Sequence, residues 1–407
     1  MSSKRSMRIR LGGLVLILSL VSIACASSSI SPIAPATTPT SPAAPPATVV
    51  NPSVPSTMPT TLESTGAPSS GGTSGWLEVF FTNPNPPDNV GHGIDNGVVA
   101  DVTQAQKSID VASFDFNLPS FVNALATASQ RGVQVRVVLD EVNGSQKLSA
   151  RESPTGQPFD ATQILQEAGI PVVNGGRSAG LMHDKIIIID GKILYMGSWN
   201  MSYTDTFRNN NNLLRITNST LIANYQAKFN ELFADKRFGM HAQVGALTPH
   251  LTIDGVQVEN YFSPVDNVMD KLVAYVQGAK KSIRFMIYTY TDTALANAMI
   301  GRYQAGVDIE GVIESQDALE GALVPLFCAN LRVKLDGNPY IMHHKVIVID
   351  DDTVITGSFN FTKSADQIND DNVLVIHDPD LAKQYLQEFG RVWNLGTSPE
   401  AAKINCK

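Results

Sequence analysis

The chain has 407 residues, enough for two or three domains with sizeable cores. Its 43% hydrophobic and 17% charged residues are an ordinary globular balance. The 38 acidic residues outnumber 30 basic ones, a net charge of −8, which argues against a general nucleic-acid binder but leaves room for a local basic groove.

In chain order, Lys4, Arg5, Arg8 and Arg10 precede an apolar run over 11–24. That run falls short of the roughly 20 apolar residues that a membrane span needs. A basic start, an apolar middle and small Ala24 read as a secretory signal peptide over 1–24. Cys25, following Ile23 and Ala24, resembles the lipid-attachment cysteine of bacterial lipoproteins, although Ser22 stands where those signals usually carry Leu. The expected location is therefore extracytoplasmic, either secreted or held at the cell membrane through lipidated Cys25. Loss of residues 1–24 would make the remainder more acidic by four charges. Residues 25–75 are almost entirely Ser, Thr, Pro, Ala and Gly, with Glu63 the lone charge. Such a segment cannot bury a core and is expected to be a disordered, Pro-stiffened linker. With Cys25 lipidated, Cys328 and Cys406 remain as an even pair in an oxidising compartment, and a disulfide between them is expected.

The first globular half is expected over 76–240 and the second over 255–400, joined by a linker near 245–255. In the first, strands are predicted over 77–82, 108–113 and 134–139, with helices over 98–106 and 119–130. Arg131-Gly132 stops the second helix. The second half repeats the order with strands over 256–262, 282–288 and 309–313 and helices over 267–278 and 293–305. Each half closes with a strand (213–216, 373–376) and an amphipathic helix (221–233, 381–393). Strands alternating with helices imply an α/β fold with helices on both faces of each sheet.

One stretch occurs twice at an offset of 160 residues. His183-x-Lys185, four aliphatic residues and Asp190 answer His343-x-Lys345, four aliphatic residues and Asp350. Gly197, Ser198 and Asn200 answer Gly357, Ser358 and Asn360, and Asn209 and Asn212 answer Asn369 and Asn372. Earlier pairs, such as Lys107 with Lys281 and Gly132 with Gly306, are 174 apart, so the first half carries about 14 extra residues, expected in the loop around 143–159. A duplication of this kind sets the whole fold reading. Four β-branched residues between polar ones suit a buried strand, whose alternation puts His and Lys on one face. An ammonium beside each imidazole repels a metal ion and attracts an anion, phosphate above all. Ser198, Ser358, Asn200 and Asn360 add neutral groups for phosphate oxygens. No metal or cofactor is expected.

The duplicated His-x-Lys-x4-Asp followed by Gly-Ser-x-Asn resembles the phospholipase D superfamily over roughly 76–393. The resemblance implies two mixed sheets flanked by helices, packed about a pseudo-twofold axis with both motifs in one active site; the chain is expected to be a monomer. It implies phosphodiester cleavage through a phospho-histidine, with His183 as nucleophile, His343 as general acid, and Lys185 and Lys345 on the phosphate. The family often sets a carboxylate two residues after the Asn at 209 and 369 to orient a catalytic histidine. Asp371 fills that place in the second half, and Asn211 in the first. The expectation from this asymmetry is that His343 is the more basic histidine. Asp190 and Asp350, on the opposite phase of the strand, are read as turn or ion-pair residues, and Asn209, Asn211 and Asn369 as supporting residues. His344, opposite Asp184, is read as a surface residue or a neighbour of the site. His92 is read as an exposed loop residue.

Three substrates compete. A secreted or tethered acidic protein suits a phospholipid, hydrolysed at its headgroup bond. The run from Gly357 to Asp366 resembles the small bacterial nucleases of the superfamily, which makes nucleic acid the alternative. A transferase of the cardiolipin synthase type is disfavoured by the lack of membrane helices. A silent tethering or binding protein is disfavoured because both His-Lys pairs are intact.

Overall fold

In a computed structural model the described residues are 71–406, apart from 85, 86, 92 and 154. The expected signal peptide, Cys25, nearly all of the expected linker, and His92 lie outside the described residues.

The first half contains β1 (Gly71–Ser74), β2 (Leu77–Phe81), α1 (Asp95–Gln104), β3 (Ser108–Ser113), α2 (Pro119–Gln130) and β4 (Gln134–Asp140). It continues with α3 (Ala161–Glu167), β5 (Val172–Gly175), β6 (Ile186–Ile189), β7 (Ile193–Gly197), α4 (Tyr203–Phe207), β8 (Asn212–Ile216) and α5 (Ser219–Asn230). Its eight strands lie in the order β1-β2-β8-β7-β6-β3-β4-β5. The β3-β4 and β4-β5 pairs are parallel and the β3-β6, β6-β7, β7-β8, β8-β2 and β2-β1 pairs antiparallel, so the sheet is mixed.

The second half repeats this plan with β9 (His250–Ile253), β10 (Val256–Ser263), α6 (Val268–Gly278), β11 (Ser282–Ile287), α7 (Thr293–Gln304) and β12 (Asp308–Ile313). Then follow α8 (Leu323–Cys328), β13 (Arg332–Leu335), β14 (Lys345–Ile349), β15 (Thr353–Gly357), α9 (Lys363–Gln367), β16 (Asp371–His377) and α10 (Pro379–Leu395). The strand order, β13-β12-β11-β14-β15-β16-β10-β9, is the same plan read from the other edge. The extra residues of the first half lie between β4 and α3, where Leu148 and Phe159 bridge to each other. Two expected boundaries shift. Residues 71–74, assigned to the linker, form an edge strand on β2, and His250–Ile253, inside the expected linker between halves, pairs with β10 as a hairpin. Both strands have only four residues, too few for a period to show in sequence. Cys328 and Cys406 are joined by a disulfide that ties the chain's end to α8.

The motif strands explain the layering. Ile186 and Ile188 of β6, and Val346 and Val348 of β14, point into one core shared by both sheets with α5 and α10. The alternate residues, Ile187 and Ile189, and Ile347 and Ile349, point into separate outer cores under α1–α3 and α6–α8. A strand buried on both faces must be apolar at every position, which is why the motif carries four aliphatic residues in a row.

The motif aspartates end these strands. Asp190 and Asp350 each adopt φ 54°. The Asp190 carboxylate accepts from the amides of Gln106, Lys107 and Ser108 at 2.9, 2.7 and 3.0 Å. Asp350 accepts from Lys280, Lys281 and Ser282 at 2.9, 2.6 and 3.0 Å. Of the turn and ion-pair readings, the contacts are those of a turn that clips the start of β3 or β11. Gly197 and Gly357 are needed for a different reason: a Cβ on either would meet the Asn212 or Asn372 carbonyl oxygen at 2.4 or 2.1 Å.

Candidate active site

Each motif histidine stands just ahead of its strand, in a segment hydrogen-bonded to the opposite half. The His183 amide donates to the Asp370 carbonyl at 3.0 Å, and the Asp370 amide to that of Leu181 at 2.9 Å. The His343 amide likewise donates to the Asn210 carbonyl at 2.9 Å, and the Asn210 amide to that of Ile341 at 2.9 Å. The Asn-rich segment of one half therefore forms the floor beneath the histidine of the other.

That crossing decides the partners. His183 Nδ1 lies 2.7 Å from Asp371 Oδ1, and His343 Nδ1 lies 2.9 Å from Asn211 Oδ1. Asn211 Nδ2 donates to the Asp205 carbonyl at 3.0 Å, so its Oδ1 faces the imidazole and His343 Nδ1 carries the hydrogen. The same logic puts a hydrogen on His183 Nδ1 and leaves Nε2 with its lone pair. The expectation that His343 is the more basic histidine is reversed. It takes Asp371 as a partner within its own half, whereas Asp371 serves His183.

Burial, followed by the Lys185 charge, holds His183 below the ordinary histidine value, and Asp371 opposes both. His343, with an amide in place of a carboxylate, is held well below it by burial and then by Lys345 and Lys185. The lysines are equally confined. Lys185 Nζ donates to the His183 carbonyl at 2.6 Å and Lys345 Nζ to the His343 carbonyl at 2.8 Å. Burial pushes Lys185 down to about 8. Burial and the Lys185 charge push Lys345 well below its ordinary value. Each motif also rests on an aromatic ring. Phe114 packs edge-on to His183 at 4.9 Å with Lys185 Nζ 5.2 Å from its centroid, and Tyr288 packs on His343 at 5.0 Å with Lys345 Nζ at 4.8 Å. These rings escaped the sequence reading, although Phe114 and Tyr288 fall at the 174-residue offset that was in view.

The remaining predicted residues divide. Ser198 and Ser358, expected on the phosphate, are turned to another task. Their hydroxyls donate to Asn211 Oδ1 at 2.8 Å and Asp371 Oδ1 at 2.6 Å, and accept from the Asn212 and Asn372 amides. A serine has one hydroxyl hydrogen, and here it is committed to the histidine's partner. Asn200 donates its backbone amide and one side-chain hydrogen to Asp205, at 2.9 and 2.7 Å, leaving one hydrogen for a ligand. Asn209 Nδ2 also donates to Asp205. In the second half Asn369 Oδ1 accepts from the Leu181 amide at 3.0 Å, and the buried Oδ1 of Asn360 has no hydrogen-bond partner among the described residues. His344 is fully buried rather than at the surface, with Nδ1 3.3 Å from Asn212 Oδ1 and Nε2 2.9 Å from Glu388 Oε1.

The flanks of the two histidines differ in charge. Beside His183, Arg177 lies 5.7 Å from the Phe114 centroid and donates to Asp140 at 2.7 Å. Beside His343, Tyr288 lines a cavity of about 220 Å³ together with Glu314, Asp317 and Glu320. Burial and then the neighbouring Asp336 raise Glu314 to about 7.

Comparison with known proteins agrees with this architecture. The family model described as cardiolipin synthase, PLD-like domain, matches twice, over 98–233 and 272–393. The chain is similar to the phospholipase D of Rickettsia prowazekii, 36% identical over 134 residues, covering 32% of this chain and 65% of that one. It is similar to the mitochondrial cardiolipin hydrolase of Xenopus laevis, 34% identical over 131 residues, covering 31% of this chain and 62% of that one. The chain thus spans somewhat less than two thirds of the length of these relatives. Among solved structures, the phosphatidylserine synthase of Haemophilus influenzae aligns with a TM-score of 0.60 over 74% of this chain and 84% of that one, at 14% identity, a likeness of fold alone. With a family match over more than half of its length and one such match in each half, the chain belongs to the phospholipase D superfamily and carries two of its domains.

Proposed function

We propose that the protein is a phosphodiesterase that hydrolyses the headgroup bond of phospholipids. The observation that carries the reading is the convergence of two buried lysines and two buried histidines with, among the described residues, no carboxylate hydrogen-bonded to either ammonium. Buried cations without such a partner are costly, and an anion bound between them removes the cost. In this scheme the phosphate sits between Lys185 and Lys345, with a hydrogen of Asn200 on one non-bridging oxygen. His183 Nε2 attacks phosphorus while Asp371 stabilises the charge that develops on its ring. The P–O bond to the leaving alcohol breaks, and His343 Nε2–H supplies that oxygen with its proton. Water then gives a proton back to His343, attacks phosphorus and releases His183. The substrate's negative charge offsets the lysines that push His343 down, so that substrate binding protonates the acid.

The acidic cavity beside His343 supports a lipid over a nucleic acid. A leaving group there meets Asp317 and Glu320, which repel the next phosphate of a polynucleotide but accept a neutral or cationic headgroup, while Glu314, raised to about 7, adds only part of a charge near neutral pH. The net charge of −8 acts in the same direction. The Cys328–Cys406 disulfide supports an extracytoplasmic location, where the proposed lipidated Cys25 would tether the enzyme to its substrate surface. The test uses the protein in chelator with phosphatidylcholine vesicles and, separately, plasmid DNA. The expected outcome is free choline without nicking. Nicking without choline would replace the lipid reading by an endonuclease, and loss of all activity in chelator would overturn the metal-free scheme. Partition into detergent that is lost in Cys25→Ser tests the anchor.

A further inference from the structure

The carboxylate missing from position 211 is not missing from the site. Asp205 Oδ2 lies 3.6 Å from His343 Nδ1, and Asp205 is 4% exposed. The 160-residue offset puts Ala365 at the matching place in the second half, where Asp371 already supplies a carboxylate to His183. Among the differences between the matched segments 200–212 and 360–372 are Asp for Ala at 205 and Asn for Asp at 211, and these two compensate in charge beside His343. Both residues meet the same imidazole. Asp205 also controls Asn211, because its carbonyl accepts Asn211 Nδ2 at 3.0 Å and so turns Oδ1 toward His343.

We propose that Asp205 is the positioning residue of the proton donor: its carboxylate holds the proton on His343, and its carbonyl fixes the amide that orients the ring. This rests on the reading of His343 as general acid. The other groups acting on His343 are Lys345 on its own strand, Lys185 and His183 from the facing motif, and adjacent His344, all of which disfavour its protonation. Glu314 reaches the neighbouring Met342 amide at 2.6 Å. Among these, Asp205 is the carboxylate that approaches the ring itself. The proton it retains is the one His343 delivers from Nε2 to the leaving oxygen as the P–O bond breaks, and the one regained when water attacks the phospho-histidine.

A general acid matters for a poor leaving group and little for a good one. The test compares an alkyl diester (phosphatidylcholine in mixed micelles, or plasmid DNA if that is what the wild type cleaves) with the aryl diester bis(4-nitrophenyl) phosphate. In Asp205→Asn the alkyl rate is expected to fall at least about tenfold more than the aryl rate. The alkaline limb of the pH–kcat profile is expected to move to lower pH by about one unit, since loss of the negative charge lets the acid lose its proton sooner. Asp205→Asn with Asn211→Asp returns a carboxylate to Nδ1 and is expected to recover both the rate and the limb. An equal loss on both substrates, an unmoved limb, or no recovery in the double variant would each overturn the role of Asp205. His343→Ala separates the two levels. If it shows no preference for the good leaving group, the general-acid reading has failed; if it does and Asp205→Asn does not, only Asp205 has been misassigned.

Discussion

At the scale of single residues, the site is two similar halves made unlike by what lies behind each imidazole. Asp371 hydrogen-bonds His183 directly, while His343 receives an amide at 2.9 Å and a carboxylate at 3.6 Å. A nucleophile needs its developing cation stabilised throughout attack, whereas an acid must release its proton, so the closer carboxylate belongs behind the nucleophile. Asp371→Asn is expected to lower kcat about 10²-fold or more with little change in KM, and to reduce the phospho-histidine trapped by acid quench. Undiminished trapping would place the nucleophile elsewhere. The pH dependence has a definite sign. In the proposed scheme His343 must hold a proton, so activity is expected to fall as pH rises through its pKa, which burial and the two lysines set well below the ordinary 6.5 in the free protein. Phosphate between the lysines offsets that push. The alkaline limb of kcat is therefore expected at higher pH than that of kcat/KM, and coincident limbs would show that substrate does not protonate the acid. The sequence made the histidines and lysines legible, because repeated motifs need no coordinates. It could not show which half each partner serves, since hydrogen bonds across a pseudo-twofold interface leave no mark in local spacing. The mismatch of Asp205 against Ala365, read together with that of Asn211 against Asp371, was the available signal.

At the scale of elements, α5 and α10 occupy matching places in the shared core and carry opposite charges. Lys228 on α5 and Glu231 just past its end correspond to Glu388 and Arg391 on α10, and the motif residues beside them, Asp184 and His344, are exchanged in kind as well. Lys228 Nζ meets Asp370 at 2.9 Å and Glu231 at 3.2 Å, with every partner buried. Burial raises Asp184 to about 7 against the opposing pull of Lys228. Asp370 also carries the carbonyl that holds the His183 amide, so this network fastens α5 to the floor of the site. Lys228→Met leaves buried Asp370 and Asp184 without their cation, while Glu231 keeps Arg237. The expected cost is about 3–5 kcal/mol, the usual result of breaking a buried pair from one side, read as a loss in denaturant unfolding. A loss below about 1 kcal/mol would mean that the acids simply take up protons. These helices, like β6 and β14, were readable from apolar periodicity because they are long or unbroken. The five-residue strands β7 and β15 and helices α4 and α9 were not, being too short for a period, and their positions follow from pairing and from the Asn212 and Asn372 carbonyls closing over Gly197 and Gly357.

At the scale of the whole molecule, the candidate active site lies where the halves meet. One core lies between the two sheets, and each histidine hangs on the other half by backbone hydrogen bonds. Covalent continuity near 245 adds little to an interface already held by a common core and by charged pairs such as Lys228–Asp370. Leu247, 65% exposed in the connection before β9, marks where the chain can be cut. A protease site inserted there, once cleaved, is expected to give two fragments that co-elute as one species and keep most of the parent activity. They should part only in denaturant, because separating them exposes the apolar inner faces of both sheets to water. Fragments that separate spontaneously, or a cleaved protein that stays associated but loses activity, would show that the connection itself sets the register of the two motifs. The duplication was plain in the sequence. Its physical consequence, two half-sites whose histidines take their partners from the opposite half, arises from packing across the axis, and the cleaved protein tests whether the halves depend on each other.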